Sequence, residues 1–90
     1  MGVADMRAQF NDVAPAGYQC QNALLWYDRT GGPEVAYMTF SGHGPTEADI
    51  FEVTSDPMPP NADVPTYIRA TAAKLGAPPA AMAPPPIDEA

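Results

Sequence analysis

The segment "YQCQNALLWYDRTGGPEVAYMTFS", residues 18–41, constrains the fold more than any other part of the chain. Two apolar, aromatic-rich runs, Tyr18–Asp28 and Glu34–Ser41, flank "RTGGP" at 29–33. A Gly-Gly pair supplies positive φ at low steric cost, so the spacing predicts a β-hairpin. Side chains alternate across a strand, which puts Leu24 and Trp26 on one face and Leu25 and Tyr27 on the other. In the second strand Val35 and Tyr37 oppose Ala36, Met38 and Phe40. Both faces read as apolar, whereas a sheet with one wet face alternates apolar and polar residues. Each face therefore needs a cover. Either two helices supply it, or one face meets another chain through a patch led by Trp26 or Tyr27, residue types favoured as interface anchors.

The remaining elements follow from local patterns. Val3, Met6, Phe10 and Val13 recur three or four apart and suit a short N-terminal helix, stopped by Pro15 and Gly17. After the glycine loop, Thr46 and Asp49 have capping-box spacing, but "DIFEVT" at 49–54 is rich in β-formers and is read as a third strand. "DVPTYIRATAAKLG", 63–76, is the clearest helix: Val64, Tyr67, Ile68, Thr71 and Leu75 form one stripe. Asp63 is placed to cap it, Pro65 sits in its first turn, Lys74 suits the C-terminal dipole and Gly76 ends it. The expected fold is α+β: a small antiparallel three-stranded sheet with a C-terminal helix packed on it and a short N-terminal helix, spanning 1–76. An extended Pro/Ala-rich tail spans 77–90.

Such a domain has little to build a core with. Leu, Ile, Val and Phe number 14 of 90 residues, while Ala alone numbers 16. That share is below the roughly 20 per cent at which a highly charged chain begins to look disordered. Small domains with this deficit recruit disulfides, a metal or a partner. Cys20 is the only cysteine and His43 the only histidine, which leaves no intramolecular disulfide and no zinc ligand set. No cofactor is expected, and a protein partner is.

Eleven acids against four bases give a net charge of −7, with six acids and no base between Arg29 and Arg69. Such a surface repels phosphate and disfavours nucleic acid and anionic membranes as partners. The run "ALLWY" is too short to span a bilayer, and "MGVADMRAQF" has neither the basic start nor the apolar stretch of a secretory signal, nor the Ser or Thr of a myristoylation site. The expected location is soluble, with synthesis in the cytoplasm.

No constellation points to catalysis. Ser41 and His43 lie two residues apart on a Gly-rich stretch without a Gly-x-Ser-x-Gly elbow or an orienting third group. Cys20 has no nearby base to activate it and is read as a core residue. Glu47, Asp49, Glu52 and Asp56 lack EF-hand spacing and read as a solvated acidic edge. The order helix, three strands, helix, together with "GPTEADIFEV", faintly resembles double-stranded RNA-binding domains. In that family, however, the Gly-Pro loop joins the first two strands, and "NADVPTY" replaces the lysine cluster expected at the last helix. RNA binding by that route is not expected, and the chain is assigned to no family.

In the tail, Pro78, Pro79, Pro84, Pro85 and Pro86 favour polyproline II. At about 3.1 Å per residue, positions 77–86 reach about 31 Å, the width of a small domain. The expected role is a strap laid along a neighbouring subunit through Met82, Pro84, Pro85, Pro86 and Ile87, with Trp26, Tyr27 and Phe40 as contact residues of the sheet. The functional expectation is a non-enzymatic structural accessory of a larger assembly, of the capsid-decorating or cement type found on virions, its partners being protein subunits or further copies of itself. Two alternatives are a small acidic inhibitor that mimics nucleic-acid charge in a basic groove, and a small accessory subunit of an enzyme complex.

Overall fold

The computed structural model describes residues 2–76. The strap residues Met82, Pro84, Pro85, Pro86 and Ile87 lie outside the described residues. The chain runs α1 (Val3–Val13), β1 (Gln19–Asp28), β2 (Val35–His43), β3 (Ile50–Thr54), α2 (Val64–Ala73). The fold is α+β, with an antiparallel sheet in the order β1-β2-β3.

The hairpin closes as its sequence predicts. Gly32 takes φ +111°, a conformation L side chains rarely adopt, and Asp28 anchors the turn by accepting from both the N–H and the hydroxyl of Thr30. Those two bonds hold the Asp28 carboxyl below the usual carboxylate range. At the other end the register shifts between Cys20 and Asn22, a bulge with Gln21 as the extra residue. Gly42 stands opposite Cys20 and has no room for a side chain, because a Cβ there would lie 2.0 Å from the Gln19 carbonyl oxygen.

Beyond β3 the chain keeps covering the same edge of β2. Ser55 N–H donates to the Met38 carbonyl at 2.8 Å and Met58 N–H to that of Ala36 at 2.9 Å. The Ser55 hydroxyl accepts the Met38 N–H at 3.0 Å, satisfying a buried donor where the ladder becomes irregular before Pro57. The helices end differently from each other. At α1, Ala14 is extended ahead of Pro15, as a pre-proline residue should be. At α2, Lys74, Leu75 and Gly76 each donate three residues back, to Thr71, Ala72 and Ala73. The helix therefore tightens into a 3₁₀ turn rather than stopping on a left-handed Gly76. Asp63 also departs from expectation: its carboxylate accepts the Thr66 hydroxyl instead of capping a helix N–H. Lys74 Nζ reaches across to the Thr54 carbonyl at 2.6 Å and to Asp56 at 3.5 Å, pinning α2 to the end of β3.

Both helices lie on one face of the sheet. Phe10 of α1 stacks on Phe40 of β2 at 4.5 Å and on Phe51 of β3 at 5.8 Å, and Tyr18 meets the Phe51 ring edge-on at 5.9 Å. Ile68 and Ala72 of α2 join the same cluster as Met38 and Phe40. The deficit in branched aliphatics is met by methionine: Met6, Met38 and Met58 are all buried, and their unbranched chains fill irregular space between rings. Thr71 is buried as well, its hydroxyl donating to the Tyr67 carbonyl at 2.6 Å.

Candidate functional site

With both helices on one side, the opposite face of the sheet has no cover among the described residues. The pairing registers place on it Leu24 and Trp26 of β1, Tyr37, Thr39 and Ser41 of β2, and Ile50, Glu52 and Thr54 of β3. The expectation that both faces are apolar holds only for β1. Along β2 this face carries Val35 at the hairpin end and then the hydroxyls of Tyr37, Thr39 and Ser41, so the centre of the sheet alternates in the manner of a wet surface. The apolar groups sit toward opposite corners. Leu24 is 57% exposed and Trp26 36% near the hairpin end, and Ile50 is 77% exposed beside His43.

Trp26 is held in place before any partner arrives. Its ring stacks on Tyr37, its cross-strand neighbour, at 4.7 Å and 19°. Its Nε1–H donates to Thr39 Oγ1 at 2.9 Å, and Thr39 Oγ1 in turn lies 2.9 Å from Thr54 Oγ1. A polar chain thus crosses all three strands and fixes the indole with one ring face toward Tyr37. An aromatic whose rotamer is already set loses little entropy on docking.

The other sequence-derived contact residues fall elsewhere. Phe40 is fully buried under Phe10 and belongs to the core, because residue parity along β2 puts it on the helix side. Tyr27 also points to the helix side, yet is 49% exposed, as is Leu25 at 39%. The helical layer stops short of this end of β1, so four consecutive residues, Leu24 to Tyr27, present apolar surface on both faces of an edge strand.

Among the described residues that edge is covered at its other end alone, by a feature the sequence does not signal. Asn11 of α1 accepts the Cys20 N–H at 2.7 Å and donates to the Cys20 carbonyl at 3.1 Å, standing in for a neighbouring strand. Arg7 donates to the Gln21 carbonyl at 3.2 Å. From Ala23 to Tyr27 no side chain takes that place: among the described residues the main-chain hydrogen bonds of this stretch run to β2 alone.

The groups considered for chemistry are kept apart. Cys20 is buried on the helix side, which pushes its thiol pKa up, and His43 lies on the open face. The two do not meet. Ser41 and His43 share the open face, but no hydrogen bond joins them, and His43 Nδ1 is buried without a partner. No group of three His, Cys, Asp or Glu side chains among the described residues is placed to hold a metal ion. A cleft of about 210 Å³ between the helices, lined by Gln9, Asp12, Val13, Pro65, Ile68 and Arg69, is smaller than the roughly 300 Å³ at which ligand pockets begin. No helix among the described residues is long and apolar enough to cross a membrane. Comparison with protein-family models, with curated proteins and with solved structures finds no match to the chain.

Proposed function

We propose that this chain is a non-enzymatic docking subunit of a larger protein assembly, and that it meets its partner through the open face of the sheet. The observation that carries this reading is the pre-set Trp26, stacked on Tyr37, hydrogen-bonded to Thr39 and still 36% exposed beside Leu24. Trp is the residue type most enriched among interface residues that dominate binding. The partner face it fits has an apolar pocket for the indole and Leu24, and basic groups toward Glu52, the carboxylate on this face of β3. In its most specific form the reading is a capsid-decorating or cement-type protein. Size, acidity and the proline-rich tail support that form, whereas the open face supports docking by itself.

The acidic-inhibitor reading draws on Glu47, Asp49, Glu52 and Asp63, which are all exposed. Lys74 weakens it by placing an ammonium 3.5 Å from Asp56. An accessory subunit of an enzyme differs from the leading reading only in the partner's identity.

Affinity recovery at low and moderate salt separates the readings. Docking through the sheet face predicts a partner retained at both salts, and a loss of about thirtyfold in affinity for Trp26→Ala, the scale of an interface hot spot. Recovery that collapses with salt and ignores Trp26→Ala would replace this reading with charge mimicry.

A further inference from the structure

The outer edge of β1 carries a second binding device, read from backbone parity rather than side chains. The carbonyls of Ala36 and Met38 bond to Met58 and Ser55, so even-numbered residues of β2 aim their main-chain groups away from β1. Odd-numbered ones must aim toward it. Tyr37 and Thr39 are opposite Trp26 and Leu24, so those two β1 residues face inward, and Ala23, Leu25 and Tyr27 point their N–H and C=O groups outward. On one side this open stretch is bounded by the Asn11 and Arg7 contacts to Cys20 and Gln21, and on the other by the end of the strand at Asp28. Its midpoint is Leu25, itself an outward residue.

We propose that β1 pairs antiparallel with β1 of a second copy of this chain, about a two-fold axis at Leu25, joining two three-stranded sheets into one of six. In that register Ala23 faces Tyr27 of the second copy, Leu25 faces Leu25, and Tyr27 faces Ala23. All three are outward pairs, so each exchanges two main-chain hydrogen bonds. The intervening pairs set Leu24 against Trp26 on the open face. From Ala23 to Tyr27 every facing pair is apolar or aromatic, and the largest side chain on the helix side, Tyr27, meets the smallest, Ala23.

Charge is compatible with self-pairing despite the net −7 of the chain. From Gln19 to Tyr27 the strand has no charged residue and no proline, the usual devices that keep edge strands apart. Asp28 falls opposite the neutral Asn22 of the second copy, so no like charges face each other along the seam. The chain's own segment 77–90 is a poor occupant of the same edge, because five of its fourteen residues are prolines and have no N–H to donate. A two-fold axis normal to the sheet leaves both helical layers on one side and both open faces on the other. Docking uses the open face of the sheet and dimer formation the main-chain edge of β1; Leu24 and Trp26 border both, yet either reading can fail while the other stands.

Sedimentation of the full chain over a range of concentrations tests the pairing. The expected result is a reversible monomer–dimer equilibrium. Leu25→Pro removes an N–H that points away from β2, so the monomer folds while the dimer dissociation constant rises by at least about tenfold, the loss of two main-chain bonds at the axis. Leu25→Lys, at a side chain already 39% exposed, keeps the main-chain donors but sets two like charges face to face, and weakens the dimer by repulsion. Removal of 77–90 leaves the dimer intact. A chain that stays monomeric at sub-millimolar concentration overturns the proposal. So does a dimer that both Leu25 variants leave unchanged, or one that disappears only with the tail.

Discussion

The two faces of one sheet, built from the same three strands, are finished in opposite ways. On the helix side Met38, Phe40 and Phe51 sit under Phe10 and Ile68, and the most exposed of these is Phe51 at 8%. On the other side Leu24 and Ile50 stand more than half exposed over a row of hydroxyls. The difference shows that a chain with only 14 Leu, Ile, Val and Phe residues spends its ring-stacking capacity on a single core and leaves the second face to solvent or to a partner. Stability should reside on the first face and recognition on the second.

Substitutions that respect this division should separate the two properties. Phe10→Ala removes the ring on which Phe40 and Phe51 both stack, and should cost about 3–5 kcal/mol, enough to unfold a domain this small or lower its melting temperature by well over 10 °C. Thermal denaturation followed by circular dichroism checks this. Trp26→Ala, on the open face, loses one ring stack and one partly exposed hydrogen bond, so its effect in the same melt should be about 1–2 kcal/mol even though it has the larger effect on binding. Ile50→Ser should stay within about 0.5 kcal/mol, since the side chain is 77% exposed. If Trp26→Ala were as destabilising as Phe10→Ala, the open face would be part of the core by another route and the division would fail.

Much of this was legible in the sequence, and the failures have a common cause. The Gly-Gly loop, the β-formers at 50–54 and the stripe through Ile68 gave the right elements in the right order, because each is encoded by residues a few positions apart. The alternation across β1 was also legible, as was the pairing of Leu24 with Trp26 on one face. Local pattern does not say which face of a sheet a helix lands on. For that reason the pattern offers Phe40 as a contact residue although it lies in the core, and it leaves open whether a helix covers each face or one face is left to another chain; the two helices share one face. The cap that Asn11 and Arg7 place on the bulged end of β1 joins residues 9 and 14 positions apart, with no motif to announce it. The core itself looked too thin because methionine was left out of the count, whereas three methionines are buried in it.

Amide hydrogen exchange along β1 tests the central claim most directly, that this strand is bonded on one edge and open on the other. In dilute solution the Leu24 and Trp26 amides should be protected by β2, while those of Leu25 and Tyr27 exchange quickly, and protection of the latter pair should rise with protein concentration. Equal protection of all four amides in a dilute monomer would contradict the claim, since the edge would already be covered from within the chain.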